Sequence, residues 1–429
     1  MTSVGSRTNG PTMRLGCIAD DLTGATDLAN NLARGGMRVS LRVGVPADDG
    51  HDVDGIDAIV ISLKSRTSPV GQAVSESLQA ARWLRAHGAA QIYFKICSTF
   101  DSTPEGNIGP VAEALADALS ARSVAVTPAF PAGGRSVYLG HLFVGSMLLS
   151  DSSMRSHPLT PMTDANLVRV LQAQLRDARV GLLDHACVAQ GGQAVRARLN
   201  ALASSGFRFT IIDAIDDTSL DALARAVVDA PLVVAASGLA VRLPAALGFA
   251  PGPGAALPPA QGARAVVSGS CSAATRGQVA DFLARGGSSF EIDPCADSVE
   301  TEAARALAWA APRLGDLPIL VYSTAEPDAV ARVQSRLGTS EAAERVERIL
   351  GLVSLGLVEA GVGQLLVAGG ETSGACIAAL GLTALRIGPQ IDTGVPWCFA
   401  DSARIHVCLK SGNFGGPDLF SRAFEVLAH

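Results

Sequence analysis

The sequence predicts an α/β protein of two domains, each a mainly parallel sheet flanked by helices, with an active-site cleft between them. Three observations carry this. Short β-branched runs alternate with Ala/Leu-rich helical patterns along the chain, which is the signature of strands joined by crossover helices. The length, 429 residues, exceeds what one hydrophobic core usually organises. One Pro/Gly/Ala segment, Leu243 to Ala263, interrupts the alternation, which then restarts. The expected division is therefore an extension at 1–12, a first domain at 13–242, a linker at 243–263 and a second domain at 264–429.

In order, LGCIA reads as a buried strand and ATDLANNLARGG as the helix after it. VSLRVGV and DAIVISL follow as strands, then a helix through AVSESLQAARWLRAHG, then QIYFKI. SVAVTPAF, a helical stretch near ANLVRVLQAQL, FTIIDA and LVVAAS complete the first domain. Beyond the linker come ARAVVSGS, a helix through ATRGQVADFLARGG, SFEIDP, a helix through EAARALAWAAP, PILVYST, LLVAGG with its helix, ALRIG and RIHVCLKSG.

Composition narrows the function. Apolar residues make up 48% but aromatics only 4%, so the core must be built from Ala, Val, Leu and Ile. Mean hydropathy is positive, +0.30, which raises the question of a membrane. The longest uncharged run, Leu243 to Ala263, holds five prolines and cannot span one as a helix. MTSVGSRTNGPTMR lacks the apolar stretch of a secretory signal, so a cytoplasmic protein starting functionally at Met13 is expected. The eight cysteines show neither CxxC nor a nearby His at ligand spacing, so no metal site is expected and buried reduced thiols are. A net charge of -6 without a basic run argues against nucleic-acid binding.

Ligands of open α/β sheets bind beyond the carboxyl ends of the strands, so the polar residues there are the ones to weigh. In the second domain three such ends combine glycine with hydroxyl or amide groups: Ser268-Gly269-Ser270-Cys271-Ser272, Gly369-Gly370-Glu371-Thr372-Ser373-Gly374 and Lys410-Ser411-Gly412-Asn413-Phe414-Gly415-Gly416. Each reads either as a turn and helix cap or as a backbone cradle for phosphate. In the first domain Asp20-Asp21 follows LGCIA, Lys64-Ser65-Arg66 follows IVISL, and Lys95 precedes Ser98, Asp101 and Ser102. Successive side chains of a strand alternate, so one aspartate is expected to enter a site while its neighbour caps or orients. Lys64 and Arg66, two apart, are expected to share a face and clamp a carboxylate. Arg135 is a weaker candidate of the same kind, and His157 reads as a loop histidine.

Taken in order, IADDLTGATD, ISLKSRTSPV, FKICSTFDSTPEGNIGPV, HPLTPMTDANL, SGSCSAAT, AGGETSGA, GPQIDTGVPW and LKSGNFG make the chain resemble the four-carbon acid sugar kinase family from about Leu15 to near the C-terminus. The resemblance implies an acid-sugar domain followed by a nucleotide domain, and ATP-dependent phosphorylation of the terminal hydroxyl of a four-carbon keto acid, with Mg²⁺ arriving on ATP. It implies ATP contacts at Ser268, Gly369, Gly370, Glu371, Thr372 and Gly412, with Thr372 or Ser373 capping the following helix. From charge and strand position, Asp21 is the expected base and Asp101 the second choice, with Asp20, Lys64, Arg66, Lys95 and Ser102 holding the acid. Closure of the two domains would exclude water. Kinases for threonate or erythronate, and a non-catalytic two-lobed acid-binding protein, are the alternatives; a nicotinamide-dependent dehydrogenase would need GxGxxG where this chain has ADDLTGA. A homo-oligomer is compatible with the chain.

Overall fold

LGCIA, buried along its whole length, becomes strand β1 (Leu15–Ala19) in a computed structural model that describes residues 13–47, 53, 55–100, 103–156, 160–252 and 256–427. The predicted extension at 1–12, and Asp101, Ser102 and His157, lie outside the described residues. The chain divides into two units between residues 252 and 253, except that Leu22–Asn30 groups with the second. That stretch is most of the helix Leu22–Arg34, which leaves β1 immediately after Asp20-Asp21. Within the predicted linker, Leu243–Ala246 forms a short helix that belongs to the first unit.

The remaining strands of the first unit are β2 (Val39–Val43), β3 (Ala58–Ser62), β4 (Gln91–Lys95), β5 (Val124–Thr127), β6 (Arg135–Tyr138), β7 (His141–Val144), β8 (Met147–Leu148), β9 (Arg179–Leu183), β10 (Phe207–Ile212) and β11 (Leu232–Ala235). Seven of them join β1 in parallel pairs in the order β2-β3-β1-β4-β11-β5-β10-β9. The other three make a small antiparallel sheet, β6-β7-β8. After β1 the chain first builds β2 and β3 on one side and then returns to place β4 on the other. The gap between β1 and β4 is thus the topological switch point, where such sheets take ligands.

Close packing supports this centre. A Cβ on Gly16 of β1 would lie 2.9 Å from the Ala89 Cβ and 3.0 Å from the Leu84 Cβ, so the glycine lets the helix Val70–Ala86 and the turn after it press directly on the strand. Ile18, Phe94, Val126 and Val234 join the fully or nearly buried core.

The second unit repeats the logic with different strands: β12 (Ala263–Ser268), β13 (Ser289–Glu291), β14 (Ile319–Tyr322), β15 (Val362–Ala368), β16 (Ala384–Asp392), β17 (Val395–Ala400) and β18 (Ile405–Lys410). Their order is β13-β14-β12-β15-β18-β17-β16, with β17 antiparallel to both neighbours and the other pairs parallel. Its switch point falls between β12 and β15. Trp397 on β17 anchors this core: it is fully buried, its Nε1 donates to the Ala423 carbonyl at 2.8 Å, and its ring meets Phe424.

Periodicity did not announce every element. β17 is buried throughout and therefore lacks the alternation of a half-exposed strand. The helices Pro327–Leu337 and Thr339–Glu359 also escape the strand–helix rhythm, because they follow one another directly.

One contact in the first unit is open to test. A Cβ on Gly238, in the short helix Ser237–Ala240, would overlap the Ala129 carbonyl oxygen in the loop after β5. Backbone cannot yield as a side-chain tip can, so Gly238→Ala is expected to lower unfolding stability by about 1–3 kcal/mol in urea titration. Unchanged stability would mean that the two segments are not in contact.

Candidate functional site

The first unit gathers charge where β1, β3 and β4 end. Ala19 is in register with both Ser62 and Lys95, so the residues just beyond those positions share one edge. Asp20 and Asp21 stand past the end of β1, where the alternation expected of an extended strand no longer applies, and both carboxylates turn to the same cations. Strand alternation therefore does not separate the two carboxylates. Arg66 binds Asp20 in a fork, Nε to Oδ2 and Nη2 to Oδ1, each at 2.8 Å, and its Nη2 also lies 2.9 Å from Asp21 Oδ1. The buried Lys95 faces both, at 3.7 Å from Asp20 Oδ1 and 3.8 Å from Asp21 Oδ1.

Burial works against the charge of Arg66, but the Asp20 and Asp21 carboxylates overcome it and push the guanidinium pKa well above its ordinary value. The loop that carries Arg66 is fixed by Asn107, whose amide donates to the Ser65 and Ser68 carbonyls at 2.8 Å each. The backbone N–H of Arg66 donates to the Asp20 carbonyl.

Lys64 and Arg66 do not share the strand face on which the predicted clamp was built. β3 ends at Ser62, both residues lie in the loop beyond it, Lys64 is exposed, and the guanidinium of Arg66 is already engaged by aspartates. Of the pair, Asp21 is the more accessible, its side chain 25% exposed against 5% for Asp20.

In the second unit the three glycine-bearing strand ends do lie abreast. Ser268 pairs in register with Tyr322 and Ala368, and Ala368 with Lys410. Ser268 is fully buried, its hydroxyl 2.7 Å from that of Thr324. A Cβ on Gly269 would overlap the Thr372 hydroxyl, one on Gly369 would lie 2.8 Å from the same oxygen, and one on Gly412 would lie 2.7 Å from Ser270 Oγ. The absence of a Cβ at these three glycines thus lets the loops close on the Thr372 and Ser270 side chains as they stand. Gly369 adds a positive φ of 130°, a conformation that favours glycine.

The helix Gly370–Ala379 starts at Gly369 with no side-chain cap, which corrects the expected role of Thr372 or Ser373. Both hydroxyl residues sit inside its first turn and are buried, and Ser373 Oγ has no hydrogen-bond partner. Gly370 and Glu371, by contrast, are exposed. An uncapped first turn presents amide N–H groups and the positive end of the helix dipole, the standard provision for an anion. Beside it opens a cleft of about 570 Å³, lined by Gly269, Glu371 and Thr372 and by Val330, Val333 and Val346 of the two helices that periodicity missed.

A second polar cluster braces the Gly412 loop. Ser272 caps the helix Ala273–Ala284 by accepting from the Thr275 amide, and the Ser272 and Thr275 hydroxyls both donate to the Gly412 carbonyl. Lys410, wholly buried, donates from Nζ to Thr275 Oγ1 at 2.6 Å and to Gly412 O at 2.9 Å. Sequence reasoning noted Lys410 only as part of a turn; its burial could not be read from LKSGN.

Among the described residues no group of three or more His, Cys, Asp or Glu could hold a metal, and no helix is long and apolar enough to cross a membrane. All eight cysteines are free. Cys17, Cys376, Cys398 and Cys408 are buried, and burial pushes the Cys376 and Cys398 thiols up to about 12.

Burial lowers the Lys410 pKa to about 7. The unfolded chain, with an ordinary lysine, then binds more protons than the fold between about pH 7 and about pH 10.5, so stability from this group rises with pH across that window. The wild type is expected to gain on Lys410→Met as pH is raised from about 7 to about 10 in paired urea titrations. A difference independent of pH would refute the shift.

Residues 15–243 match the family of sugar-binding N-terminal domains, and residues 265–420 the family of nucleotide-binding C-terminal domains. The chain is 50% identical over 422 residues to the 3-oxo-tetronate kinase of Cupriavidus necator, covering 96% of this chain and 97% of that one. It is 41% identical over 411 residues to the 3-oxo-tetronate kinase of Haemophilus influenzae, covering 95% and 98%. Among solved structures, a Salmonella typhimurium LT2 protein described as a putative tRNA synthase superposes with a TM-score of 0.86 at 41% identity, over 96% of this chain and 98% of that one. A Haemophilus influenzae protein superposes with a TM-score of 0.78 at 40% identity, over 96% and 100%.

Proposed function

Because the chain belongs to the four-carbon acid sugar kinase family, we propose that it is a cytoplasmic enzyme of carbohydrate catabolism that transfers the terminal phosphoryl group of ATP to the C4 hydroxyl of 3-oxo-tetronate. Its relatives of that name match nearly the whole chain. The observation that carries the reading is the uncapped first turn of Gly370–Ala379 beside a cleft with a partly apolar wall. Amide donors suit the phosphates, and the valines suit a nucleoside.

The residues present fit ATP in this unit. Gly370 and Glu371 offer the exposed helix start, while Ser268, Gly369, Thr372 and Gly412 hold the surrounding loops in shape. Mg²⁺ arriving on ATP would supply charge neutralisation there, and Glu371, which lines the cleft, would be the carboxylate to orient it through water.

In the first unit Asp21 accepts the proton of the C4 hydroxyl as its oxygen bonds to the terminal phosphorus; the bridging P–O bond breaks and ADP leaves with the electron pair. Phosphoryl transfer depends mostly on positioning and charge, so a carboxylate held by two cations suffices as acceptor. Asp20 and Arg66 fix the orientation of Asp21, and Lys95 adds positive charge at the same edge.

Coupled ADP release with Mg-ATP over 3-oxo-tetronate, D-erythronate, D-threonate and L-threonate is expected to favour the keto acid. No ADP with any of them would end the kinase reading. Asp21→Asn should lower kcat on the order of 10²-fold or more with its melting temperature retained; normal turnover would exclude Asp21 as base. Val330→Arg, in the cleft wall, should raise KM for ATP on the order of tenfold and leave KM for the acid unchanged. Equal effects on both would remove the nucleoside from that cleft.

A further inference from the structure

Arg66, Lys95 and Arg135 are not equivalent. Arg66 is committed to Asp20 and Asp21, and Lys95 faces the same two carboxylates. Arg135 has no carboxylate partner among the described residues. It opens β6 just after the turn Pro131–Gly133 and the left-handed Gly134. The Arg135 backbone N–H and carbonyl both bond to Phe130, which ties the residue to the loop beyond β5. The guanidinium Nη1 donates to the Gly133 carbonyl, while Nε is buried with no hydrogen-bond partner.

Arg135 also stands at the same end of the sheet. Ala235 of β11 is in register with Lys95 of β4 and with Thr127 of β5, so the loop after β5, to which Phe130 ties Arg135, leaves the sheet at the carboxyl edge where Lys95 ends β4. Burial lowers the Arg135 pKa against an opposing effect of Cys97, whereas the Asp20 and Asp21 carboxylates raise that of Arg66. An incompletely bonded, partly buried guanidinium is costly unless an anion completes it. Its planar donor edge matches a carboxylate.

We infer that Arg135 is the residue that binds the carboxylate of the acid substrate, the part that sequence reasoning gave to Lys64 and Arg66. This rests on the first unit being the acid-sugar site of a kinase. Arg66 then serves the reaction by aligning Asp20 and Asp21, and Arg135 fixes the opposite end of the four-carbon chain from the reacting hydroxyl.

The test compares wild type, Arg135→Gln and Arg135→Lys on 3-oxo-tetronate and on the neutral four-carbon ketose with a hydroxymethyl group in place of the carboxylate. Where ketose turnover is too slow to follow, its competitive inhibition constant against the acid is measured instead. Arg135→Gln should lower kcat/KM for the acid on the order of 100-fold, chiefly through KM, and leave KM for ATP and the ketose constant unchanged. Arg135→Lys should fall between. Equal losses on acid and ketose would reduce Arg135 to a brace for its own turn, and an unchanged KM for the acid would refute the contact. Failure of wild type to release ADP with any four-carbon acid would instead strike the kinase reading itself.

Discussion

Two successive carboxylates at the end of a buried strand repel one another and lose solvation, so the first unit depends on the cations that meet them. Arg66 supplies a fork to Asp20 and a further contact to Asp21, and Lys95 comes to both from the neighbouring strand. Removing Arg66 would strip the buried Asp20 carboxylate of its forked partner and leave only the longer contact to Lys95, a larger loss than the pair itself contributes. The requirement reaches back into the fold. Asn107 must hold the loop of Arg66, and β4 must end in register with β1, for the four charges to converge.

The second unit solves the opposite problem, exposing backbone donors without leaving its loops loose. Gly269, Gly369 and Gly412 allow hydroxyl-bearing loops to close at distances that a Cβ would forbid, and the Ser272, Thr275 and Lys410 side chains tie the Gly412 loop from below by hydrogen bonds. Rigid surroundings then hold the uncapped start of the helix Gly370–Ala379 in place. Preorganised donors of this kind need little rearrangement when charge arrives, which is why the site works by electrostatics and position.

Much of this was legible in the residues. LGCIA, IVISL, QIYFK and LLVA announced strands because continuous apolar runs bounded by polar turns bury on both faces of a parallel sheet. The motifs ADDLTGA, VSGSCS and AGGETSGA stood out because glycines, hydroxyls and acids cluster where strands end. Reading failed where it extended strand geometry past the strand. Alternation was applied to Asp20-Asp21 and to Lys64–Arg66, yet β1 stops at Ala19 and β3 at Ser62. The capping role given to Thr372 or Ser373 failed similarly, since helix onset is set by backbone angles at Gly369 and not by residue type.

The sequence by itself determined the α/β class, the strands that end in chemistry and the family, because strand period, turn residues and motif order are properties of contiguous residues. Only the tertiary structure decided which charges pair, that Lys410 is buried, that Val330 and Val346 line the cleft beside the glycine loops, and that among the described residues the buried Nε of Arg135 meets no hydrogen-bond partner. Arg66 and Asp20 are separated by 46 positions, Lys410 and Thr275 by 135. Partners that far apart are chosen by strand order and register, and no local pattern records that choice.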